Sequence, residues 1–269
     1  MISSTSNSKV KQVVAWQTKA KERKKDDIFI VEGLRMFEEA PYEWISQVYV
    51  SSKCLLGLKQ DTSDRSKEVL RRLSEISYEE VTDEVFAKMS DTQTPQGVLC
   101  VLRRPKYTLK DILGSEGEEP LVMILEDLQD PGNLGTILRT GEGAGISGVI
   151  MSKDTVDIFN PKVIRATMGS IYRMPFIYVE DLISVLDTLH IEETQTYAAH
   201  LKGDVYYDSF DFTKPTAFLI GNEGNGLKKE TADKAGSYLK IPMEGKVESL
   251  NAAIAASLLM YEAHRQRTK

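Results

Sequence analysis

Runs of apolar residues alternate with amphipathic stretches along most of the chain. In its N-terminal part, apolar runs at 28–31, 48–50 and 98–102 predict strands, because short runs rich in β-branched residues are typical of buried strands. Stretches at 34–40 and 67–73 predict helices between them. We therefore expect a small α/β domain of about 100 residues in this part of the chain.

The alternation is more regular in the C-terminal half. Strands are predicted at 121–125, 148–151, 175–179, 196–199, 217–220 and 238–241, and helices at 136–143, 161–170, 182–189 and 250–267. Continuous apolar strands separated by helices indicate a largely parallel sheet covered on both faces. The intervening stretch 106–119 has the composition of a linker, so we predict a first domain at 1–105 and a second at 120–269.

The last predicted helix carries one apolar stripe, formed by Leu250, Ile254, Leu258 and Tyr261. The stripe is interpreted either as core or as a dimer surface. Ser249 precedes the helix and is expected to cap it, because its side-chain oxygen can accept a hydrogen bond from an amide of the first turn.

Net charge argues against a protein that coats nucleic acid nonspecifically. The 269 residues carry a formal charge of -6, whereas nonspecific affinity for nucleic acid comes from phosphate neutralisation by lysine and arginine. The first 25 residues nevertheless hold seven basic residues against one acidic residue, a local charge of +6. This stretch is either an RNA-contacting helix, with Lys24 and Lys25 as candidate contacts, or a solvated helix face.

Several classes of protein are disfavoured by the sequence. No apolar run approaches the roughly 18 residues needed to span a membrane, and the N-terminus lacks an apolar signal region, so we expect a cytoplasmic protein. Two distant cysteines and three scattered histidines give no support for a metal site. Residues 143–148 match GxGxxG, but a helix precedes them and a strand follows, the reverse of the order that dinucleotide binding requires. These glycines are expected to end a helix instead.

Glycine, asparagine and acidic residues concentrate in three loops that follow predicted strands, at 126–135, 221–226 and 242–251. Ligands of open α/β sheets bind outside the carboxyl ends of strands, so the three loops are expected to line one site. Glycine allows the backbone to approach a ligand closely, and the string GNEGNG at 221–226 is interpreted either as a ligand-binding loop or as a flexible turn.

The strings EDLQDPGNLGTILRTGEGAG, FLIGNEGNGL and IPMEGKVESLNAAIAASLLMYEAHRQR resemble, in order and separation, the three signature motifs of the SpoU/TrmH RNA 2'-O-methyltransferases. Together they touch most of residues 120–269. The segments IFIVEGLRMFEEA and TPQGVLCVL resemble, less specifically, the RNA substrate-binding domain that precedes the catalytic domain in many members.

This resemblance implies an α/β SPOUT-type catalytic domain with a C-terminal trefoil knot, a homodimer, and S-adenosylmethionine as cofactor. The positions that match cofactor-binding positions of the family are Leu201, Gly203, Ile220, Gly221, Ile241, Met243 and Leu250. The positions that match the polar motif near methyl transfer are Asn133, Arg139, Glu223, Ser249 and Asn251. No metal is implied.

The resemblance also suggests roles for individual side chains. Arg139 would hold the ribose or its phosphate through its planar donor fork, and Arg165 would contact a phosphate unless it forms a solvated salt bridge. Arginine retains its proton in proteins, whereas Glu223 is a conventional proton acceptor or an orienting group, so the identity of the base stays open. The expected function is 2'-O-methylation of RNA, with ribosomal RNA favoured. The alternatives are an RNA-binding regulator without catalysis and a methyltransferase that acts on another acceptor.

Overall fold

The computed structural model describes residues 1–114 and 117–268, which form two compact units. The first unit contains residues 1–105 and 159–172, and the second contains residues 106–158 and the chain from 173 onward. Up to residue 105 the elements are α1 (Ser8–Thr18), α2 (Ala20–Lys25), β1 (Ile28–Glu32), α3 (Leu34–Glu39), β2 (Ile45–Ser51), α4 (Ser52–Gln60), α5 (Asp64–Glu75), β3 (Tyr78–Val81), α6 (Asp83–Met89) and β4 (Val98–Arg103). The elements that follow are α7 (Leu109–Leu113), β5 (Leu121–Leu125), α8 (Pro131–Ala144), β6 (Gly148–Ser152), α9 (Pro161–Thr167), β7 (Phe176–Val179), α10 (Leu182–Ile191), β8 (Gln195–Ala199), β9 (Thr216–Ile220), α11 (Lys229–Lys234), β10 (Ser237–Leu239) and α12 (Ala252–Arg267).

The first unit is built on a four-stranded sheet in the order β1-β4-β2-β3. The pairs β1/β4 and β2/β4 are antiparallel, and β3 joins β2 in parallel. One core cluster combines sheet residues with Val10, Val13 and Trp16 of α1 and with Val85 and Phe86 of α6. The predicted α/β character of this region is therefore present, although β3 was not predicted because its sequence, YEEV, is half polar.

Residues 159–172, which include α9, complete the core of the first unit. The ring of Phe159 lies 4.9 Å from the ring of Phe29, and the Arg104 guanidinium lies 4.5 Å from the centroid of the Phe159 ring. The Tyr172 hydroxyl donates a hydrogen bond of 2.8 Å to the carbonyl oxygen of Met36. The segment is thus bound to the first unit by both apolar and polar contacts.

The second unit contains a six-stranded sheet in the order β10-β8-β9-β5-β6-β7. All five strand pairings are parallel, as predicted from the continuous apolar runs. Every residue of β5, β6 and β9 is buried, which is expected for strands covered on both faces. The carboxyl ends of these strands consequently lie along one edge of the sheet.

The two units differ from the predicted partition at 1–105, 106–119 and 120–269 in two places. The stretch expected to be a linker contains α7, which has a capping box between Thr108 and Asp111 and a fully buried Ile112. Residues 115 and 116 of that stretch lie outside the described residues. In addition, 159–172 packs with the first unit, because its apolar side chains are buried there.

The start of α8 and the end of α9 differ from the predicted bounds. The α8 helix begins at Pro131, earlier than expected, since the Asp130 side chain accepts a hydrogen bond from the Asn133 amide and caps the first turn. The α9 helix ends at Thr167 rather than at 170, where Met168 adopts a left-handed conformation with φ of 52°. Gly145 ends α8 with φ of 77°, in agreement with the expectation that the glycines of 143–148 terminate a helix.

The α12 helix runs parallel to α8 and packs along it. At their N-termini, the Asn251 side-chain amide donates a hydrogen bond of 2.9 Å to the Asn133 side chain. Farther along, a Cβ on Gly143 would lie 3.3 Å from the Tyr261 hydroxyl, so the two helices stay close. Part of the α12 surface remains open, with Ile254, Leu258 and Tyr261 exposed by 51%, 36% and 50%.

In one chain Ile254, Leu258 and Tyr261 of the predicted apolar stripe are therefore surface, not core, whereas Leu250 lies before α12 and is half-buried. The buried positions of the helix are instead Ala252, Ala253, Ala256, Leu259, Met260 and Ala263. Among the described residues, no helix has the combined length and hydropathy that a membrane crossing requires.

Candidate active site

A cavity of about 580 Å³ lies within the second unit, at the carboxyl ends of its strands. Its walls come from the segments that follow β8, β9 and β10, namely 199–201, 220–227 and 239–252. Two of the three loops predicted to line one site thus do so. The remaining loop, 126–135, reaches the cavity wall through hydrogen bonds to Glu223.

Most positions expected to bind the cofactor lie on this cavity. The lining includes Leu201, Ile220, Gly221, Ile241, Met243 and Leu250. Gly203 does not line the cavity. A Cβ at this position would lie 2.9 Å from the carbonyl carbon of Leu239, so glycine allows the turn after β8 to pack on the end of β10.

The 221–226 loop is a tightly folded segment rather than a flexible turn. Asn222 and Gly226 exchange two backbone hydrogen bonds, of 3.1 and 2.9 Å, and the Asn222 side chain accepts bonds from the amides of Gly224 and Asn225. A Cβ on Gly221 would lie only 2.1 Å from the carbonyl carbon of Gly226. Glycine is therefore required at 221, because the chain folds back on itself there.

A chain of side-chain hydrogen bonds joins three of the five predicted catalytic positions. Asn251 donates a bond of 2.9 Å to Asn133, and Asn133 donates a bond of 3.0 Å to the Glu223 carboxylate. The Asn251 oxygen also accepts bonds from the amides of Ala253 and Ile254, which caps α12. The three side chains are thus fixed relative to the N-termini of both helices.

The Glu223 carboxylate is held in its charged form by donors of the first loop. The backbone amides of Gln129 and Asp130 lie 3.0 and 2.9 Å from its two oxygens. Partial burial raises the pKa of Glu223, but the hydrogen bonds from Asn133 and from these amides outweigh it and hold the pKa below its ordinary value. A negative charge at this place is also favoured by the N-terminus of α8.

Arg139 and Ser249 lie apart from this chain of hydrogen bonds. Arg139 is exposed on α8 and forms no hydrogen bond or ion pair with residues 1–114 or 117–268. Ser249 is exposed and lines the cavity, but the prediction that it caps the last helix is wrong, because Asn251 does so. Asn251 lies directly before the first helical residue, whereas Ser249 is two positions earlier.

Sequence reasoning assigned no role to Glu126 and Asp127, which follow β5 directly. Glu126 is buried, and its carboxylate accepts hydrogen bonds from the Lys228 amide and the Thr231 hydroxyl, at 2.7 and 2.6 Å. Asp127 adopts a left-handed conformation with φ of 53°, and its carbonyl oxygen accepts a bond of 2.9 Å from the Asn222 side chain. The available signal was a pair of acidic residues at the end of a buried strand.

The candidate RNA contacts belong to the first unit. Lys24 and Lys25 are exposed at the end of α2. Arg165 is bound in an ion pair of 2.7 Å with Asp91, the salt bridge that the sequence left as an alternative. Arg23, counted in the basic stretch, is buried and donates to the carbonyl oxygen of Trp16 at the end of α1, so it contributes to helix packing.

No group of three or more histidine, cysteine, aspartate or glutamate residues within the described residues has the arrangement of a metal site.

Both the N-terminal and the C-terminal parts of the chain resemble known protein families. Residues 120–261 match the SpoU rRNA Methylase family, and residues 7–100 match the MRM3-like substrate binding domain. The 23S rRNA (guanosine(2553)-2'-O)-methyltransferase RlmP of Bacillus subtilis is 30% identical over 262 residues, which span 97% of this chain and 97% of that protein.

Solved structures resemble the whole chain. An AdoMet-bound rRNA methyltransferase from Sinorhizobium meliloti has a TM-score of 0.81 at 31% identity, covering 98% of this chain and 97% of that chain. The SpoU methyltransferase AviRb from Streptomyces viridochromogenes, in complex with AdoMet, has a TM-score of 0.84 at 27% identity, covering 97% of this chain and 99% of that chain.

Proposed function

Because the chain belongs to the SpoU rRNA methylase family, we propose that it transfers a methyl group from S-adenosylmethionine to a ribose 2'-hydroxyl of RNA. Ribosomal RNA is the proposed substrate class, since RlmP and the Sinorhizobium protein are described as rRNA methyltransferases. The observation that carries the proposal is that the cavity adjoins the hydrogen-bonded chain of Asn251, Asn133 and Glu223.

The residues of the cavity fit this cofactor. Its volume of about 580 Å³ lies within the ~300–1,000 Å³ typical of small-molecule sites. Apolar side chains at 201, 220, 241, 243 and 250 suit an adenine ring and the methylene groups of the methionine part, and Gly221 brings the backbone to the surface of the cavity. When bound, S-adenosylmethionine supplies a methyl group already activated by its sulfonium.

The polar residues are proposed to position the acceptor. In alkyl transfer from an activated donor, alignment of the reacting groups is the main task of the protein. Glu223 accepts three hydrogen bonds and so serves best to orient Asn133 and the first loop. Asn133 and Asn251 then present their amide groups, together with the Ser249 hydroxyl, beside the cavity.

Arg139 is proposed to bind the ribose or its phosphate. Its side chain is exposed and has no partner within residues 1–114 and 117–268, so the guanidinium is available to a ligand without breaking an existing bond. A planar donor fork suits phosphate oxygens. The same argument gives Arg139 a role in substrate binding and not in removal of the proton.

The first unit is proposed to hold the RNA. Its match to a substrate binding domain and the exposed Lys24 and Lys25 support this role. Arg165 would join the contact surface by exchanging its Asp91 partner for a phosphate. We also propose a cytoplasmic location, where ribosomal RNA is available.

A homodimer is proposed on the basis of the exposed stripe of α12. A contiguous row of large apolar side chains on one helix face is unusual on the surface of a monomer. A second copy of the same helix would cover the row in a two-fold contact.

A trefoil knot is proposed for the C-terminal part of the chain. Support comes from Lys240, whose amide donates to the carbonyl oxygen of Val205 and whose carbonyl oxygen accepts from Tyr207, each at 3.0 Å. The end of α12 is bound to the same β8–β9 connection, since Gln266 contacts Phe210 and Phe212. An experimental structure whose chain path from 195 to 268 is unknotted would contradict this proposal.

The function is tested by mapping ribose methylation in total RNA from cells with and without the gene, followed by methyl transfer in vitro to RNA from the deficient cells. We expect one or a few ribose positions to lose methylation and the purified protein to restore it. Arg139→Ala should lower transfer about 100-fold or more and leave the unfolding midpoint unchanged. Arg265→Ala, another exposed helix arginine, is the matched control.

If the purified protein binds the RNA but transfers no methyl group, an RNA-binding regulator is the correct function. If transfer modifies a base instead of a ribose, the proposed acceptor is wrong.

A further inference from the structure

One buried residue contacts both ends of the 221–227 loop. The backbone amide of Glu126 donates a hydrogen bond of 2.9 Å to the carbonyl oxygen of Ile220, immediately before the loop. Its carboxylate accepts bonds from the Lys228 amide, immediately after the loop, and from the Thr231 hydroxyl of α11. The start and the end of the loop are therefore held by the same residue of β5's carboxyl end.

Glu126 itself does not line the cavity. It is 3% exposed, and the cavity walls are formed by residues of the loop that it holds. A buried carboxylate is costly unless its oxygens are hydrogen-bonded, and here both oxygens accept bonds from the loop end or from α11. These hydrogen bonds offset the cost of burying the carboxylate and hold the end of the loop against β5.

The loop in turn carries two parts of the proposed site. Gly221 and its neighbours form one wall of the cavity, and Glu223 projects from the same loop to the first turn of α8. A shift of the loop would therefore move the cavity wall and the Glu223 carboxylate together.

We propose that Glu126 is a positioning residue that sets the geometry of the cofactor cavity and of Glu223 by fixing both ends of the 221–227 loop. This inference rests on the proposed function, because it assigns the cavity to S-adenosylmethionine. It gives a role to a side chain that touches neither the cofactor cavity nor Asn133.

Two substitutions of Glu126 separate the effect of its hydrogen bonds from the effect of its charge. Glu126→Ala removes both side-chain bonds. Glu126→Gln keeps them, because the amide oxygen can accept from Lys228 and the amide nitrogen can donate to the Thr231 hydroxyl. Thr231→Val removes one bond with little change in shape.

Ser147→Ala is the matched control. Ser147 bonds to the amide and the carbonyl oxygen of Leu121, at the opposite end of β5. This variant removes two hydrogen bonds from the same strand without touching the loop.

The measurements are the dissociation constant for S-adenosylmethionine, by calorimetry, and kcat with RNA. Both are made at a temperature below the unfolding midpoint of every variant. For Glu126→Ala we expect about tenfold weaker binding and about 100-fold lower kcat, because small displacements of aligned groups have large kinetic effects. Glu126→Gln should stay within about threefold of the unmodified protein, and Thr231→Val should weaken binding about threefold. Ser147→Ala should change neither quantity.

The outcomes distinguish the two proposals. If the unmodified protein binds neither S-adenosylmethionine nor its demethylated product, the proposed function fails. If it binds, but Glu126→Ala binds as well as Ser147→Ala does, Glu126 has no positioning role. Should Glu126→Ala not fold, unchanged binding and kcat in Thr231→Val would equally overturn the inference.

Discussion

Glu223 illustrates how a side chain's partners limit its chemistry. Its two oxygens accept bonds from Gln129, Asp130 and Asn133, so few lone pairs are left to receive a proton from a substrate. The same bonds lower its pKa, which makes it a weaker base. The residue is therefore better suited to orientation than to proton transfer.

The lowered pKa predicts a pH dependence. A carboxyl group with a lower pKa in the folded state stabilises the fold fully above its unfolded pKa, about 4.3 for glutamate, and loses this contribution as the pH falls through the lower folded value. The unmodified protein should thus be more stable than Glu223→Gln at neutral pH, and the difference should shrink as the solution becomes acidic below the usual glutamate range. Urea unfolding of both proteins across this range measures it. A difference that grows on acidification would contradict the assignment.

The sequence motifs identified individual polar residues of the site, but they did not predict which residues these side chains contact. Asn133, Glu223 and Asn251 were selected from separate strings, and the structure joins them by hydrogen bonds. Glu126 was not selected, because its partners lie about a hundred positions away and no local pattern marks them. Ser249 was chosen as a cap since serine and asparagine cap equally well, and only the backbone geometry distinguishes them.

The N-termini of α8 and α12 lie side by side, and the two helices run in the same direction. Both N-termini therefore place a partial positive charge beside the Asn133 and Asn251 side chains. Each is capped by a residue of the site region, Asp130 for α8 and Asn251 for α12. The caps define where the helices start and hence where the polar groups stand.

Removal of the Asp130 cap should destabilise the first turn of α8. Asp130→Ala removes the acceptor for the Asn133 amide, and we expect it to lower the free energy of unfolding by about 1 kcal/mol. It should also lower methyl transfer, because Asn133 lies in the uncapped turn. Thermal unfolding and transfer assays measure both effects, with Asp130→Asn as the conservative control. Full activity in the alanine variant would show that the first turn keeps its position without the cap.

The exposed face of α12 predicts the oligomeric state. Ile254→Glu and Tyr261→Glu place charges in the proposed two-fold contact, so each should convert dimer to monomer in light scattering after size exclusion. Ile191→Glu is the control, because Ile191 is an exposed apolar residue, at 78%, on another helix. A monomeric unmodified protein would remove the basis for the proposed homodimer.

Periodicity predicted the buried strands and helices well and the polar elements poorly. The β5, β6 and β9 strands are buried throughout and consist mainly of apolar residues, which is the pattern that periodicity detects best. The β3 strand and α11 are rich in charged residues, and their structure depends on neighbours that a local window does not contain.

For the whole molecule, the main difference from the sequence-based prediction is the placement of 159–172. The segment lies between β6 and β7 in sequence, so a linear partition assigns it to the catalytic part. Its buried residues, including Phe159 and Tyr172, instead pack in the first unit. Composition cannot reveal this, because apolar residues are compatible with either core.

This placement predicts which unit a substitution at 159 destabilises. Phe159→Ala should lower the stability of the first unit by about 3 kcal/mol through loss of burial and a residual cavity. Tryptophan fluorescence reports that unit selectively, since both tryptophans of the chain, Trp16 and Trp44, lie in it. The exposed Lys162→Ala is the control. An unchanged fluorescence transition in Phe159→Ala would contradict the packing.

The same segment constrains how the protein can be recombined with others. A chimera that fuses a different N-terminal module to residue 106 would retain Phe159, Ile171 and Tyr172 without the strands and helices that cover them. Such a fusion is expected to aggregate unless 159–172 is exchanged together with the module. Any exchange of the first unit therefore has to include a short segment that lies, in sequence, between two strands of the second unit.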